Sequence, residues 1–170
     1  MAKSKGDLGF TLIELVMIIV LVSLVAVMAA PRLANITGVK ASATARKLQA
    51  DVVYAQDLAM TSNRRHRVVF PSTTSYEVRY GAGAGTLATN PDGEVPFAVT
   101  TDSGITLSWN LNGDALLNRG VEFDLLGRPY FYNGVTPSTT NLAIGTITVT
   151  GGDTAQTVTL QPQTGRVSTP

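Results

Sequence analysis

One apolar run near the start of the chain constrains its fold more than any other feature. Phe10 to Ala30 is 21 residues long and apolar almost throughout, but Glu14 interrupts it. As a helix the run would measure roughly 31 Å, which matches a hydrocarbon core of about 30 Å. We therefore predict a transmembrane helix at 10–30. A charged side chain in such a helix costs roughly 3 kcal/mol at its centre and less near its end, so Glu14 calls for an explanation.

The residues around Glu14 suggest why it is there. A short, polar, basic stretch ends in Gly9-Phe10-Thr11-Leu12-Ile13-Glu14, and Pro31 follows the apolar run. This arrangement resembles the processing site of the type IV prepilin superfamily, which includes type IV pilins and the pseudopilins of type II secretion. The resemblance implies that a prepilin peptidase removes a leader at 1–9 by cutting between Gly9 and Phe10, and that the new Phe10 amine is methylated. It also implies that Glu14 pairs with the Phe10 amine of a neighbouring subunit, and that Pro31 kinks the helix.

Two other interpretations remain open for this segment. Glu14 could extend to the polar interface without a partner. The run could also be a secretory signal peptide cleaved near Ala29 or Ala30, although Glu14 and the length of the run oppose this. The charges that flank the run do not decide its orientation. A single-pass position in the bacterial inner membrane, with the C-terminal domain in the periplasm or in a filament, follows from the resemblance alone.

Beyond the apolar run the pattern remains helical. A stripe of small and aliphatic residues recurs at spacings of four and three, which predicts one buried helix face: Ala41, Ala45, Leu48, Val52, Ala55 and Ala59. Pro31 removes one helical hydrogen bond. We therefore predict one long helix at 10–63, bent near Pro31, with a transmembrane first half.

The rest of the chain reads as β structure. Seven segments are rich in β-branched and aromatic residues, and turn residues separate them: 67–70, 76–80, 105–109, 121–125, 130–132, 144–149 and 157–160. The predicted fold is therefore α+β, with a small antiparallel β-domain at 64–170 packed on the helix. The Gly81–Gly85 stretch lacks the features of a phosphate-binding loop, and we interpret it as a flexible connection.

A second resemblance covers this half of the chain. Tyr54–Met60 leads through Arg64-Arg65-His66 into a strand, Phe123–Pro129 follows, and Thr164-Gly165-Arg166-Val167 lies near the end. This order resembles the GspH/FimT group of pseudopilins and minor pilins, and it implies a pilin-like fold. Members that bind DNA are thought to use a C-terminal Gly-Arg-x-Arg, but here Ser168 stands where the second arginine would be.

Composition argues against catalysis. The chain has one histidine and no cysteine, so a thiol nucleophile and a multi-histidine metal site are excluded. We expect no enzyme activity, no cofactor and no metal. His66 is interpreted as a surface or helix-end histidine, and Glu122 and Asp124 as solvated strand charges rather than ligands of a divalent ion.

Charge is distributed unevenly. Arg32–Arg67 holds seven basic and two acidic side chains, whereas Val68–Pro170 holds four basic and eight acidic ones. The candidate contacts for anions or other subunits are Arg64, Arg65, Arg67 and Arg166.

The resemblance therefore predicts a pilin-like structural subunit for type II secretion or type IV pilus biogenesis. Its expected partners are a prepilin peptidase, other pilins or pseudopilins, an inner-membrane assembly platform and the lipid bilayer. The alternatives are a minor pilin that binds DNA for natural transformation and a major fibre-forming pilin.

Overall fold

A computed structural model describes residues 10–34, 36–93 and 96–169. The chain divides into two compact units, Met1–Ile36 and Thr37–Pro170. The first contains helix α1 (Leu12–Ala34), and the second contains ten strands and nearly all of helix α2 (Ile36–Thr61) among the described residues. The leader predicted at 1–9, with Gly9, lies outside the described residues.

Helix α1 is apolar and exposed. Its side chains from Leu12 to Met28 are all exposed, and the hydroxyl of Ser23 donates to the Ile19 carbonyl oxygen one turn earlier at 2.7 Å. The predicted transmembrane segment falls on α1. In the described part of the chain, no helix is both long enough and apolar enough to cross a membrane. Pro31 lies within α1, and the bend predicted there stays a prediction.

Helix α2 buries the stripe that the sequence predicts. All six predicted core residues of α2 are buried, and Asp51 is buried with them. Four of the six are alanines, whose small side chains let the helix backbone approach the sheets closely. In the second turn, for example, a Cβ added to Gly151 would lie 3.0 Å from the Cβ of Ala41.

Ten strands form two antiparallel sheets in the described residues. Their bounds are β1 (His66–Ser72), β2 (Ser75–Tyr80), β3 (Thr86–Leu87), β4 (Ala98–Thr100), β5 (Ile105–Leu111), β6 (Arg119–Phe123), β7 (Pro129–Tyr132), β8 (Gly145–Gly151), β9 (Thr154–Leu160) and β10 (Val167–Ser168). Sheet A has the order β3-β2-β1-β6-β7, with β4 also paired to β2, and sheet B has the order β10-β9-β8-β5. The predicted antiparallel β-domain is confirmed.

One hydrophobic core joins α2 to both sheets. Buried residues alternate with exposed ones in β5 and with half-buried ones in β8. Phe70 of β1 stacks on Trp109 of β5 with ring centroids 4.8 Å apart, which links the two sheets. Because these residues belong to the same buried cluster as the α2 stripe, Thr37–Pro170 has a core of its own.

Candidate functional site

The first turn of α1 holds Glu14 in a capping box. The Thr11 N–H donates to Glu14 Oε2 at 3.3 Å, and the Glu14 N–H donates to Thr11 Oγ1 at 3.3 Å. The Thr11 hydroxyl also donates to Glu14 Oε2, at 3.1 Å. Thr11 is therefore the N-cap and Glu14 the third helical residue, and each satisfies an N–H group that the helix leaves free.

The cap gives Glu14 a role that the sequence analysis missed. Thr-x-x-Glu before an apolar run is the sequence signature of a capping box, so the signal was present. All three hydrogen bonds use Oε2 or the backbone of Glu14, and within the described residues no hydrogen bond reaches Oε1. The second oxygen is thus free to accept a donor from another molecule. The predicted pairing with a neighbour's Phe10 amine stays a prediction.

The structure separates the four candidate arginines. Arg67 is fully buried, and its two terminal nitrogens donate to the carbonyl oxygens of Gly81 (2.8 Å) and Gly83 (2.9 Å). Its guanidinium carbon lies 4.9 Å from the centroid of the Tyr132 ring. Arg67 therefore has no accessible surface for an external anion, and its predicted role as a contact residue is corrected to an internal one.

The Gly81–Gly85 segment packs over the Arg67 side chain and shields it from solvent. A Cβ on Gly85 would lie 2.1 Å from Arg67 Nη2, and Gly85 has a φ of +76°. Glycine is required there for two reasons. The Cβ of a larger residue would clash with the Arg67 guanidinium, and a positive φ is unfavourable for residues that carry a Cβ. The segment predicted to be a flexible connection therefore wraps a buried arginine.

Glu122 is the counter-charge for this region, which corrects its interpretation as a solvated strand charge. The side chain is fully buried. Oε1 accepts from Arg65 Nη1 at 3.1 Å and from the Ser138 N–H at 2.7 Å, while Oε2 accepts from the Thr136 hydroxyl at 2.6 Å. Arg67 Nη1 lies 3.8 Å from Oε2. The carboxylate thus accepts three hydrogen bonds and lies beside two arginines, which offsets the cost of burying its charge.

Asp124 is also structural. Its Oδ1 accepts the backbone N–H groups of Leu126 (2.9 Å) and Arg128 (2.8 Å), so it closes the turn between β6 and β7. Among the described residues, no group of three or more histidine or acidic side chains could hold a metal ion.

Of the three arginines near the start of β1, Arg64 and Arg65 reach the surface whereas Arg67 does not. The Arg65 side chain is one-third exposed, donates to the Ser138 carbonyl oxygen at 3.0 Å and lies 5.1 Å from the centroid of the Tyr130 ring. Arg64 is exposed, and its guanidinium carbon lies 5.8 Å from the centroid of the Tyr80 ring. These two residues therefore present positive charge to solvent.

His66 is buried, which corrects its interpretation as a surface histidine. Its Nδ1 lies 3.0 Å from the Arg64 carbonyl oxygen, and its ring lies 5.4 Å from that of Tyr80. Burial lowers the pKa of His66. The charges of Arg64 and Arg67 lower it further, against the hydrogen bond to the Arg64 carbonyl, which raises it. His66 is therefore neutral at neutral pH.

Arg166 lies about 100 residues later in the sequence than the other three arginines. It is exposed and precedes β10 of sheet B, where its N–H donates to the Thr164 hydroxyl at 3.3 Å. Because Arg67 is fully buried, the four candidate arginines do not form one basic surface in the described residues.

A buried Asp-Tyr pair joins α2 to sheet A, and the sequence analysis did not find it. The Tyr76 hydroxyl donates to Asp51 Oδ2 at 2.5 Å, and Lys47 Nζ lies 2.7 Å from the same oxygen. Burial raises the pKa of Tyr76, and the charge of Asp51 and the hydrogen bond to it raise it further. Asp51 follows Leu48 by three residues, so its position on the stripe was the available signal.

Comparisons with known proteins connect this architecture to pilin-like subunits. No family model and no curated protein matches the sequence. The solved structure of the minor pseudopilin EpsH from the Type 2 Secretion System of Vibrio cholerae matches with a TM-score of 0.56 and 15% identity, over 77% of this chain and 96% of EpsH. The type IV minor pilin FimU of Pseudomonas aeruginosa matches with a TM-score of 0.50 and 16% identity, over 76% of this chain and 87% of FimU. The predicted pilin-like fold is confirmed.

Proposed function

We propose that this chain is a pilin-like structural subunit, a pseudopilin or a minor pilin, which joins a filament through α1. The observation that carries the proposal is α1 itself, whose apolar side chains are all exposed from Leu12 to Met28 and whose first turn holds Glu14. Such a surface is stable only when something apolar covers it. The confirmed fold of the second unit supports the proposal.

The proposed sequence of events begins at the inner membrane. The apolar segment at 10–30 anchors the precursor, and a prepilin peptidase removes 1–9 and leaves a methylated Phe10 amine. Burial of α1 among neighbouring subunits then drives assembly. Glu14 contributes because its Oε1 is the oxygen left open by the capping box, and a neighbour's amine would neutralise it. The β-domain projects into the periplasm.

Processing is tested by the intact mass of the mature protein. The proposal expects a chain that starts at methylated Phe10, and Gly9→Leu should block the cut because the peptidase site would have to accept a bulky side chain. Gly6→Leu is the matched control in the leader and should be processed normally. A mature chain that starts at Ala30 or Pro31 would overturn the proposal, since the protein would then be an exported β-domain without α1.

Assembly is tested by incorporation into filaments. Glu14→Ala should leave processing largely intact but reduce incorporation, because the paired carboxylate is lost. Ser23→Ala is the control within α1, since its hydroxyl is satisfied inside the helix. Equal incorporation of Glu14→Ala and the parent chain would contradict the proposed role of Glu14.

The copy number and the genes next to this one separate the finer alternatives. A pseudopilin or minor pilin is present in few copies, whereas a major pilin forms long filaments made mainly of this chain. Neighbouring genes for secretion or for pilus components would distinguish the two systems. The DNA-binding alternative has less support, because Arg67 is buried and Ser168 stands where the second C-terminal arginine would be.

A further inference from the structure

Arg64 stands between two hollows on the surface of the β-domain. The first has a volume of about 360 Å³ and lies beside Leu58, Tyr80 and Ala88. The second has a volume of about 300 Å³ and lies beside Arg65 and Pro137. Arg64 lines both, and we call the two hollows together the Arg64 cleft.

The Arg64 cleft carries positive charge that the described residues do not neutralise. Arg64 makes no ion pair with any described residue, and no carboxylate lines either hollow. Glu122 is fully buried, and Arg65 and Arg67 share it as a counter-charge. Three arginines against one carboxylate leave an excess of two positive charges, since buried His66 is neutral.

We infer that the Arg64 cleft binds a short acidic segment of another protein subunit. A carboxylate of that segment lies on Arg64 and the exposed part of Arg65, where charge-assisted hydrogen bonds form. Its neighbouring side chains enter the hollows, against Leu58 on one side and Pro137 on the other. The identification of the partner as another pilin-like subunit rests on the proposed function. The binding chemistry of the cleft is independent of that function.

The surroundings of the cleft favour a peptide over a nucleic acid. Thr37–Pro170 holds ten basic and ten acidic side chains, so a long polyanion meets no net attraction beyond the cleft. The Tyr80 ring, which lines the first hollow, is already engaged by His66 and Arg64 within the chain, so a base would have to compete with these contacts to stack on it. A compact partner that is acidic only locally fits both features.

Fluorescence anisotropy on the full chain in a non-ionic detergent tests the inference. The probe is a labelled five-residue peptide of serine, glutamate and leucine with two glutamates, and its matched control carries lysines instead. The acidic peptide should bind at low salt, more weakly as salt rises, and the lysine peptide should not bind. Arg64→Gln should weaken binding about tenfold or more, because charged hydrogen bonds are lost.

Arg46→Gln is the matched control variant. Arg46 is an exposed arginine of α2 that makes no ion pair with a described residue, and its replacement changes the net charge equally. It should change the affinity less than twofold. An equal loss in both variants, or no binding of the acidic peptide at low salt, would overturn the inference. So would tighter binding of a single-stranded oligonucleotide of equal charge, which would make the cleft a nucleic-acid site.

The outcome for the cleft is independent of the outcome for the proposed function. If the chain is processed at Gly9 and incorporated into filaments but the acidic peptide does not bind, only the cleft inference fails. If the chain is not processed but binds the acidic peptide through Arg64, the proposed function fails and the binding chemistry stands.

Discussion

At the scale of single residues, sheet A contains two buried charged side chains, Glu122 and Arg67, and each depends on its partners for its stability. Taking a carboxylate out of water costs several kcal/mol, and Glu122 is stabilised against that cost by Arg65, Thr136 and the Ser138 N–H. Arg67 depends on Glu122 in turn, because it is fully buried and its hydrogen bonds go only to neutral carbonyls, which leaves Glu122 as its counter-charge.

Glu122→Gln should therefore destabilise the β-domain strongly. The change leaves the Arg67 charge buried without a counter-charge, and removal of one member of a buried ion pair costs about 3–5 kcal/mol. Glu77→Gln is the control, because Glu77 pairs with Arg79 at a partly exposed site where an ion pair contributes about 1 kcal/mol or less. Urea unfolding measures both. A loss at Glu122 no larger than that at Glu77 would contradict the assigned role.

Tyr76 should make stability fall at alkaline pH. Its pKa is raised in the folded protein, so above pH 10 the unfolded chain loses a proton that the folded chain keeps. The unfolded state then binds fewer protons, and the free energy of unfolding falls as pH rises.

Tyr76→Phe removes this contribution. The variant should be less stable than the parent at pH 7, since Asp51 loses a buried donor, but it should lose less stability between pH 7 and pH 11. Urea unfolding of both chains at the two pH values gives the comparison. An identical pH dependence of the two chains would show that Tyr76 ionises as freely in the folded state as in the unfolded one.

At the scale of elements, the start of α1 depends on the capping box between Thr11 and Glu14. Thr11→Val removes the hydroxyl that accepts from the Glu14 N–H, which should cost about 1 kcal/mol of local helix stability. Hydrogen exchange should therefore become faster in the first turn of α1. Ser23→Ala is the control and should leave that turn unchanged, because its hydrogen bond lies more than a turn away.

Elements with a strong periodic pattern were predictable from the sequence, and short ones were not. All six apolar residues of the α2 stripe are buried, because period 3.6 identifies one face of a helix. Strands β3, β4 and β10 were missed, because two or three residues are too few to show alternation. The burial of Arg67 was also missed, because the segment that covers it lies at Gly81–Gly85, and no local pattern links the two.

At the scale of the whole molecule, the buried hydrophobic cluster belongs to one unit. The described core residues run from Ala41 to Val167 and include both sheets, and the chain has no cysteine to form a disulfide. A domain of this size can bury enough apolar surface to fold without disulfides or metals. The free energy of folding of Thr37–Pro170 should therefore come from its own packing.

The fragment Thr37–Pro170 should fold alone and unfold in one cooperative transition. Its Tm should lie within about 4 °C of that of the β-domain in the full chain, because a difference of 1 kcal/mol shifts Tm by roughly that much. A fragment that begins at Ala45 is the matched control. It lacks Ala41, which packs close to Gly151, and should lose several degrees in Tm. Near-UV circular dichroism during heating measures both fragments, and a reductant should leave their Tm unchanged because the chain contains no cysteine. A Thr37–Pro170 fragment without a cooperative transition would show that the β-domain depends on α1 for its stability.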